Sequence, residues 1–441
     1  MAETIEKTDL REYYHAHFET FEGSLNGLKK SPLHEERKKA MEQFMETGFP
    51  TTDNEDWKYT NTAPILKHTF LPASLAAENV LSKDAVGKYL IKNLPVNLFV
   101  FENGRLREDL TVLQKGGNDL KAESLEEALK GSSEVVEKYL SEPANGFNAL
   151  NKAFLKDGAV IRIADEQVLE NPIHLLFLSG SESEEVLIQP RVFIIAGKNS
   201  QVKIIESHHS ISDKAYLFNS VTEVITEENA VVNYFKIQNE SDEAFHVSRL
   251  QVRQESSSSF NSYAVTFGGS LVRNDLYSVL GGEYAETSLN GLYLAEGKRH
   301  IDNHTVIDHA VPHCSSNELY KGILDDKGRG VFNGKVIVRK DAQKTQAYQS
   351  NKNLLLSRQA KIDTKPQLEI FADDVKCSHG ATVGQLNEEA VFYLQSRGIG
   401  IEAAQSILIN AFASDVTDLI NIEQLKETLN SQILEKLHKV S

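Results

Sequence analysis

Cysteine is nearly absent. The 441 residues hold only Cys314 and Cys377, which cannot build a disulfide framework and read as reduced thiols. Long apolar runs are missing too: nothing approaches the roughly eighteen uninterrupted apolar residues of a membrane span, so no membrane partner is expected. The opening MAETIEKTDLREYYHAHFE is charged and has no apolar signal core, which leads us to expect a cytoplasmic chain. Basic charge is in deficit, with 47 Lys and Arg against 63 Asp and Glu and a net charge of −16. Without a basic stripe to neutralise phosphates, a nucleic-acid partner is not expected either.

The common catalytic signatures are missing as well. The nearest approach to a phosphate-cradling loop, Gly328 to Val336 (GRGVFNGKV), has one residue too many and a valine where the magnesium-holding hydroxyl belongs. Neither G-x-S-x-G nor H-E-x-x-H occurs. No C-x-x-C occurs, so the chain has no self-contained zinc ribbon or four-cysteine cluster site.

What is there divides into three textures. Residues 1–150 read as a helical domain with a short strand pair. SPLHEERKKAMEQFMETGFP predicts a helix stopped by Gly48 and Pro50, and SLEEALKGSSEVVEKYL predicts another from Ser124. Between them LIKNLPVNLFVFENGRLRE predicts two strands turning at Asn103-Gly104. Residues 151–375 are a succession of short β-branched and aromatic runs, such as GAVIRIA, RVFIIAG and KVIVRK. Each is preceded by a polar or glycine corner, as in NSQVKII, ENAVVNY, GRGVFNG and QAKIDT. The corners recur at the spacing of stacked solenoid coils, which favours a parallel β-helix over a sandwich. Such a stack needs caps at its ends. Residues 376–441 return to helical periodicity. Asn387 is placed to cap one helix, and Ala404, Ile407, Leu408, Ala411 and Phe412 mark an amphipathic second one. These stripes either cap the solenoid, pack on one another or dock a partner.

Two stretches carry metal-ligating residue types. HIDNHTVIDHAVPHC holds His300, His304, His309 and His313, the last directly before Cys314. Imidazole and thiolate suit iron or zinc, but offsets of four, five and four do not fit a compact ligand loop, and polar residues at strand edges and turns are the plainer reading. DDVKCSHGATVG, from Asp373 to Gly384, places Cys377 and His379 two apart, on one face of an extended strand. Asp373 and Asp374 could orient the imidazole or hold a cation. Two ligands are too few for a metal, so a site here needs contributions from other coils or another chain.

From His304 to Phe412 the chain resembles the SufB/SufD family, the scaffold subunits of the Suf iron–sulfur cluster assembly machinery. The resemblance is densest in HTVIDHAVPHCSS, GVFNGKVIVRKDAQKTQAYQSNKNLLLS, KPQLEIFADDVKCSHGATVG and FYLQSRGI. EDWKYTNT, with the single Trp57, and FNALNKAFLKDGAVIRI extend it towards the N-terminus. CSHGATVG and the scarcity of cysteine are similar to the SufD branch rather than the SufB branch.

The resemblance implies a mainly β fold, a right-handed parallel β-helix core between N-terminal and C-terminal helical domains. It implies a non-catalytic scaffold subunit whose C-terminal domain docks one SufC-type ABC ATPase and whose β-helix pairs with a SufB-type scaffold. A transient iron–sulfur cluster would form at that interface, with no cofactor held tightly by this chain alone. His379 is implied to face the interface, with Cys377 beside it. Arg397, Gly398, Ala404, Ile407, Leu408, Ala411 and Phe412 match the ATPase-docking segment. A flavin associated with the assembled complex finds no dinucleotide fingerprint in this chain. An exposed β-helix edge would also permit a homodimer of the isolated chain. The alternatives are the SufB-type paralogue and a β-helix polysaccharide-active enzyme.

Overall fold

The computed structural model describes residues 9–25, 28–76, 81–114, 120–131 and 134–438; the first eight residues of the charged opening lie outside them. Helix α1 (Leu10–Ser24) starts at Asp9, whose carboxylate accepts the Arg11 N–H. Helix α2 (Pro32–Thr47) is the one expected from SPLHEERKKAMEQFMETGFP. Ser31 caps it, proline occupies its first turn, and Gly48 ends it at φ +63°. Tyr14, Phe18 and Phe21 of α1 and Met41 and Phe44 of α2 close an aromatic core with Phe147 and Phe154.

Strand β1 (Leu71–Pro72) and the short helix α3 (Lys83–Gly87) follow. Strands β2 (Asn97–Glu102) and β3 (Arg105–Leu106) form the expected hairpin. Asn103 and Gly104 both have positive φ, +47° and +85°, as a two-residue turn between right-twisted strands requires. After β4 (Leu120–Ser124), the single helix expected from Ser124 is divided into α4 (Leu125–Lys130) and α5 (Glu134–Tyr139) around Gly131. Glycine ends helices readily because it loses the most entropy inside them. Helix α6 (Gly146–Ala153) packs on α2, so closely that a side chain on Gly146 would meet the Gly48 carbonyl at 1.9 Å.

The solenoid strands run β5 (Gly158–Ile163), β6 (Ile173–Ser179), β7 (Val186–Ile188), β8 (Arg191–Ala196), β9 (Gln201–Ser210), β10 (Tyr216–Thr226), β11 (Val231–Asn239), β12 (Ala244–Gln254), β13 (Ser259–Thr266), β14 (Leu271–Leu280), β15 (Glu286–Ala295), β16 (His300–His309), β17 (Ser315–Leu324), β18 (Arg329–Val338), β19 (Gln346–Leu355), β20 (Lys361–Ile370) and β21 (Lys376–Gly384). From β8 onward even strands build one parallel sheet and odd strands a second. Each coil adds about 30 residues: His300 pairs with Arg329 and Arg329 with Lys361 in one sheet, Ser315 with Gln346 and Gln346 with Lys376 in the other. The hairpin strand β2 pairs in parallel with β6, so it is a rung of the second sheet rather than a separate ornament. Inward residues such as Val192, Ile194, Ile204, Val224, Val232 and Phe260 form the main hydrophobic core.

The polar corners have a common backbone cause. Asn199, Asn229, Ser257, Tyr284, His313 and Lys344 all adopt positive φ, between +56° and +64°, one at each passage from an even to an odd strand between β8 and β19. Asn229 donates to Asn199 Oδ1 at 2.9 Å, and His313 stacks on Tyr284 with ring centroids 5.0 Å apart. Asparagine tolerates the left-handed region because its amide bonds locally.

Helices α7 (Glu388–Ser396), α8 (Ile401–Thr417) and α9 (Glu423–His438) complete the chain, α7 capped by Asn387 as expected. Ile409, Ala413, Val416, Leu425, Leu429 and Ile433 pack against the outer face of the second sheet, on Phe235, Val265, Leu292 and Ile323. Lys321 of β17 ties α8 down, with its ammonium 2.6 Å from Asp415 and 3.8 Å from the Phe412 ring centroid. The helices therefore lie alongside the solenoid and do not cap it. The strands also continue to Gly384, past residue 375 where the sequence texture changes, because β21 still finds a full rung of partners on β19. Among the described residues, no helix is long and apolar enough to cross a membrane.

Candidate functional site at the open end of the solenoid

Among the described residues, the last coil, β20 and β21, pairs on one side only. Its inward side is uncovered, and residues that would be core in any earlier coil are open there: Val383 is 50% exposed. Registered residues on parallel strands point to the same face. Cys377 stacks on Ala347 and Ser316, and His379 on Gln349 and Glu318. Since Ala347, Gln349 and Glu318 are buried, Cys377 and His379 both face the solenoid axis at its mouth. The structure thus puts both on one side of one strand, as their spacing predicts. Cys377 packs against the core, and partial burial pushes its thiol up. His379 is exposed.

Beneath His379 lies a polar column. Gln349 Nε2 donates to Glu318 Oε2 at 2.7 Å. Burial lifts the Glu318 carboxyl to about 7, against the pull of hydrogen bonds from Thr305 and Gln349. Gly334 makes room for this amide, since a side-chain carbon there would come within 2.4 Å of Gln349 Nε2. Across the mouth Thr364 of β20 donates to Asn351 Oδ1 at 2.8 Å. Asp374 does not orient the imidazole: it forms an ion pair with Lys344, and its N–H donates to Gln343 Oε1 at 2.9 Å.

The histidine-rich stretch does not converge. His300 and His304 point outward from β16, towards the N-terminal segment, which His300 holds directly. Asp302 lies between them, 3.0 Å from His304 Nε2 and 2.8 Å from Arg273, and His300 Nε2 meets the Thr60 hydroxyl at 2.7 Å. Burial alone would raise Asp302, but His304 and Arg273 hold it well below the usual carboxylate range. Arg273 also donates to the Asp56 carbonyl at 2.7 Å and lies 4.0 Å from the Trp57 ring centroid. EDWKYTNT is therefore a clamp onto the solenoid. His309 points inward to Ser316 at 2.9 Å, and burial pushes it down to about 4. His313 is a corner residue, and the buried Cys314 thiol donates to the Gly282 carbonyl at 3.3 Å. These residues bond mainly to side chains rather than to backbone. Among the described residues, no three His, Cys, Asp or Glu side chains gather as a metal site.

The C-terminal stripe is split by its environment. Ala404 is buried, Leu408 and Phe412 are half-buried, and Ile407 and Ala411 are exposed. Gly398 turns the chain at φ +84° after α7, and Arg397 bonds the Tyr393 hydroxyl at 3.1 Å. Residues that the helical pattern did not single out join the exposed side: Phe392 at 71%, with Tyr393 and Ile401. The signal for them was FYL in a short helix that buries no residue fully.

Comparison with known proteins covers nearly the whole chain. The family described as SUF system FeS cluster assembly, SufBD core domain, matches residues 177–412, and SufBD protein N-terminal region matches residues 8–175. An iron–sulfur cluster assembly SufBD family protein of Synechocystis is 32% identical over 416 residues, 92% of this chain and 91% of that one. The iron–sulfur cluster assembly protein SufD of Escherichia coli is 31% identical over 415 residues, 93% and 94% of the two chains. SufD of Bacillus subtilis is 27% identical over 414 residues, 91% and 93%.

Proposed function

Since the chain belongs to the SufBD family of iron–sulfur cluster assembly proteins, we propose that it is a SufD-type scaffold subunit, without turnover of its own, that offers half of a cluster-assembly site. The observation that carries this reading is the open terminal coil, where Cys377 and His379 face an interior that no further coil covers. A neutral imidazole and a thiolate are both competent iron ligands, and a site shared between two chains needs only one or two from each. A SufB-type chain laid against β20 and β21 would supply the rest and satisfy the unpaired strand edges. The isolated chain can use the same edges to pair with itself.

A SufC-type ATPase fits the other exposed surface. Phe392, Tyr393, Ile401 and Ile407 leave an apolar patch on α7 and α8, the kind of surface that marks a protein interface. Nucleotide chemistry then sits in the partner, consistent with the lack of a phosphate loop in this chain.

Co-expression with SufB-type and SufC-type partners tests both surfaces. His379→Ala should co-purify normally and lose the cluster absorbance after reconstitution; an undiminished cluster yield refutes the assignment. Ile407→Asp combined with Phe392→Asp should release the ATPase while the two scaffolds stay together, and an unchanged pull-down refutes the docking face. Phe412 is a poorer probe, because its ring also covers Lys321.

A further inference from the structure

The interior column that ends at His379 changes character on its way to the open end. In earlier coils this register position is filled by Ile204, Tyr234, Ser262 and Leu289, all but the small Ser262 part of the main core. From β17 onward it is Glu318, Gln349 and His379. Leu289, one coil earlier, shows that an apolar residue fits this position. A buried carboxyl and amide here are unfavourable for packing alone, and together they lead to the one ring that the last coil leaves open.

The amide is held in one orientation. Its Nε2 is committed to Glu318 at 2.7 Å, and Gly334 supplies the space it occupies. Its Oε1 is buried and finds no partner among the described residues, although Gln349 is only 4% exposed. An amide whose N–H side is fixed inward has its carbonyl left for the next residue in the column. That residue is His379, one strand spacing of about 4.8 Å away on the same face.

We propose that Gln349, locked by Glu318, is the positioning residue for His379: its carbonyl oxygen, unbonded in this structure, accepts the N–H of one ring nitrogen once the exposed ring turns over the column, which fixes the tautomer and turns the lone pair of the other nitrogen out of the mouth. A ligating histidine characteristically donates its second N–H to such an acceptor. This rests on reading His379 as a site residue, but the arrangement is testable without any cluster.

The test uses the full chain with ¹⁵N-labelled histidine, at a pH where the imidazole is neutral. The His379 signals are identified by their loss in His379→Asn, and two-bond ¹H–¹⁵N spectra read the tautomer. The native chain should show one dominant tautomer. Gln349→Met should bring the two nitrogen shifts together, towards those of a free imidazole. Glu318→Gln, which keeps an acceptor for the amide, should preserve the native pattern, and Glu318→Leu should lose it. Unchanged signals from the buried His174 and His309 show that the variants keep their interior. A His379 pattern that Gln349→Met leaves unmoved overturns the proposal. A native chain with mixed tautomers overturns it without any variant. In the assembled complex, Gln349→Met should lower cluster yield by roughly tenfold without affecting co-purification. Cluster formation surviving His379→Ala would refute the functional reading and leave the tautomer result standing; the reverse pattern would refute only this inference.

Discussion

Replacing Glu318 by glutamine should make the protein more stable, and only at the pH values where glutamate would ionise. The carboxyl's ordinary value is 4.5, and burial between the sheets lifts it to about 7. The groups acting on it are the neutral Thr305 and Gln349, and its neighbour Tyr320 is itself driven far up by burial. Among the described residues, no opposite charge offsets the ionised form. Below pH 4.5 the carboxyl is neutral in both the folded and unfolded chain, and its ionisation has no effect. Between 4.5 and 7 the unfolded chain releases the proton first, so stability falls as pH rises. Above 7 the loss levels off at about 3 kcal/mol, from about 1.4 kcal/mol for each unit. Glutamine keeps the shape and never ionises. For a chain of this length, unfolding entropy of about 0.9 kcal/mol per kelvin converts that into roughly 3 °C. Calorimetric scans of both proteins from pH 4.5 to 8.5 provide the assay. Burial pushes His174 down to about 3 and His208 and His209 to about 4, and their acid-side losses cancel in the difference. The midpoint of Glu318→Gln minus that of the native protein should climb through pH 4.5 to 7 and then stay flat. A difference that is constant across the range refutes the reasoning.

Two further predictions probe the supports of the site. Gly334→Ala would put a methyl 2.4 Å from Gln349 Nε2 and 2.6 Å from the Phe332 ring. Overpacking of this kind costs about 1–3 kcal/mol, read as a lowered melting midpoint; an unchanged midpoint would show that the amide sits elsewhere. Arg273→Ala leaves Asp302 and Asp275 without their shared guanidinium and uncovers Trp57. Breaking a buried pair costs about 3–5 kcal/mol, and limited proteolysis should then cut near residues 54–62 before the solenoid; resistance equal to that of the native chain argues against the clamp.

Local patterning made the architecture legible. Alternating apolar strands and recurring polar corners carry the coil in the sequence, because the corners from β8 to β19 each place one residue in the left-handed region and Asn199 and Asn229 do so cheaply. The Asn103-Gly104 turn and the Ser31 and Gly48 helix limits were equally local. The path of the C-terminal helices was not. An apolar stripe on α8 shows that a face must be covered but not by which surface, and the outer face of the second sheet did so instead of the open end. Cys377 and His379 were visible because two residues suffice to share a strand face. Glu318, Gln349 and Gly334 were invisible because what joins them is coil-on-coil register across about 30 residues. No short motif encodes that. The same register separates the histidines of HIDNHTVIDH: the even offset from His300 to His304 keeps both outside, and the odd step to His309 turns it inward.

The incomplete end of the fold and the candidate site are the same place. A parallel solenoid buries each coil against the next, so a last coil with nothing beyond it leaves both strand edges and inward side chains unsatisfied. Here neither edge is covered by α8 or α9, although these helices follow β21 closely, because they are held along the flank by Lys321, Asp415 and the apolar seam around Ile409 and Leu425. One of the strands that hold them is β17. Its ten residues carry Glu318 inward, to the column beneath His379, and Lys321 outward, to α8. The surface that would meet a second scaffold and the helix that would meet an ATPase are therefore anchored three residues apart on one rigid strand. A load applied to α8 reaches the residues behind the site through the Lys321–Asp415 ion pair and three residues of β17.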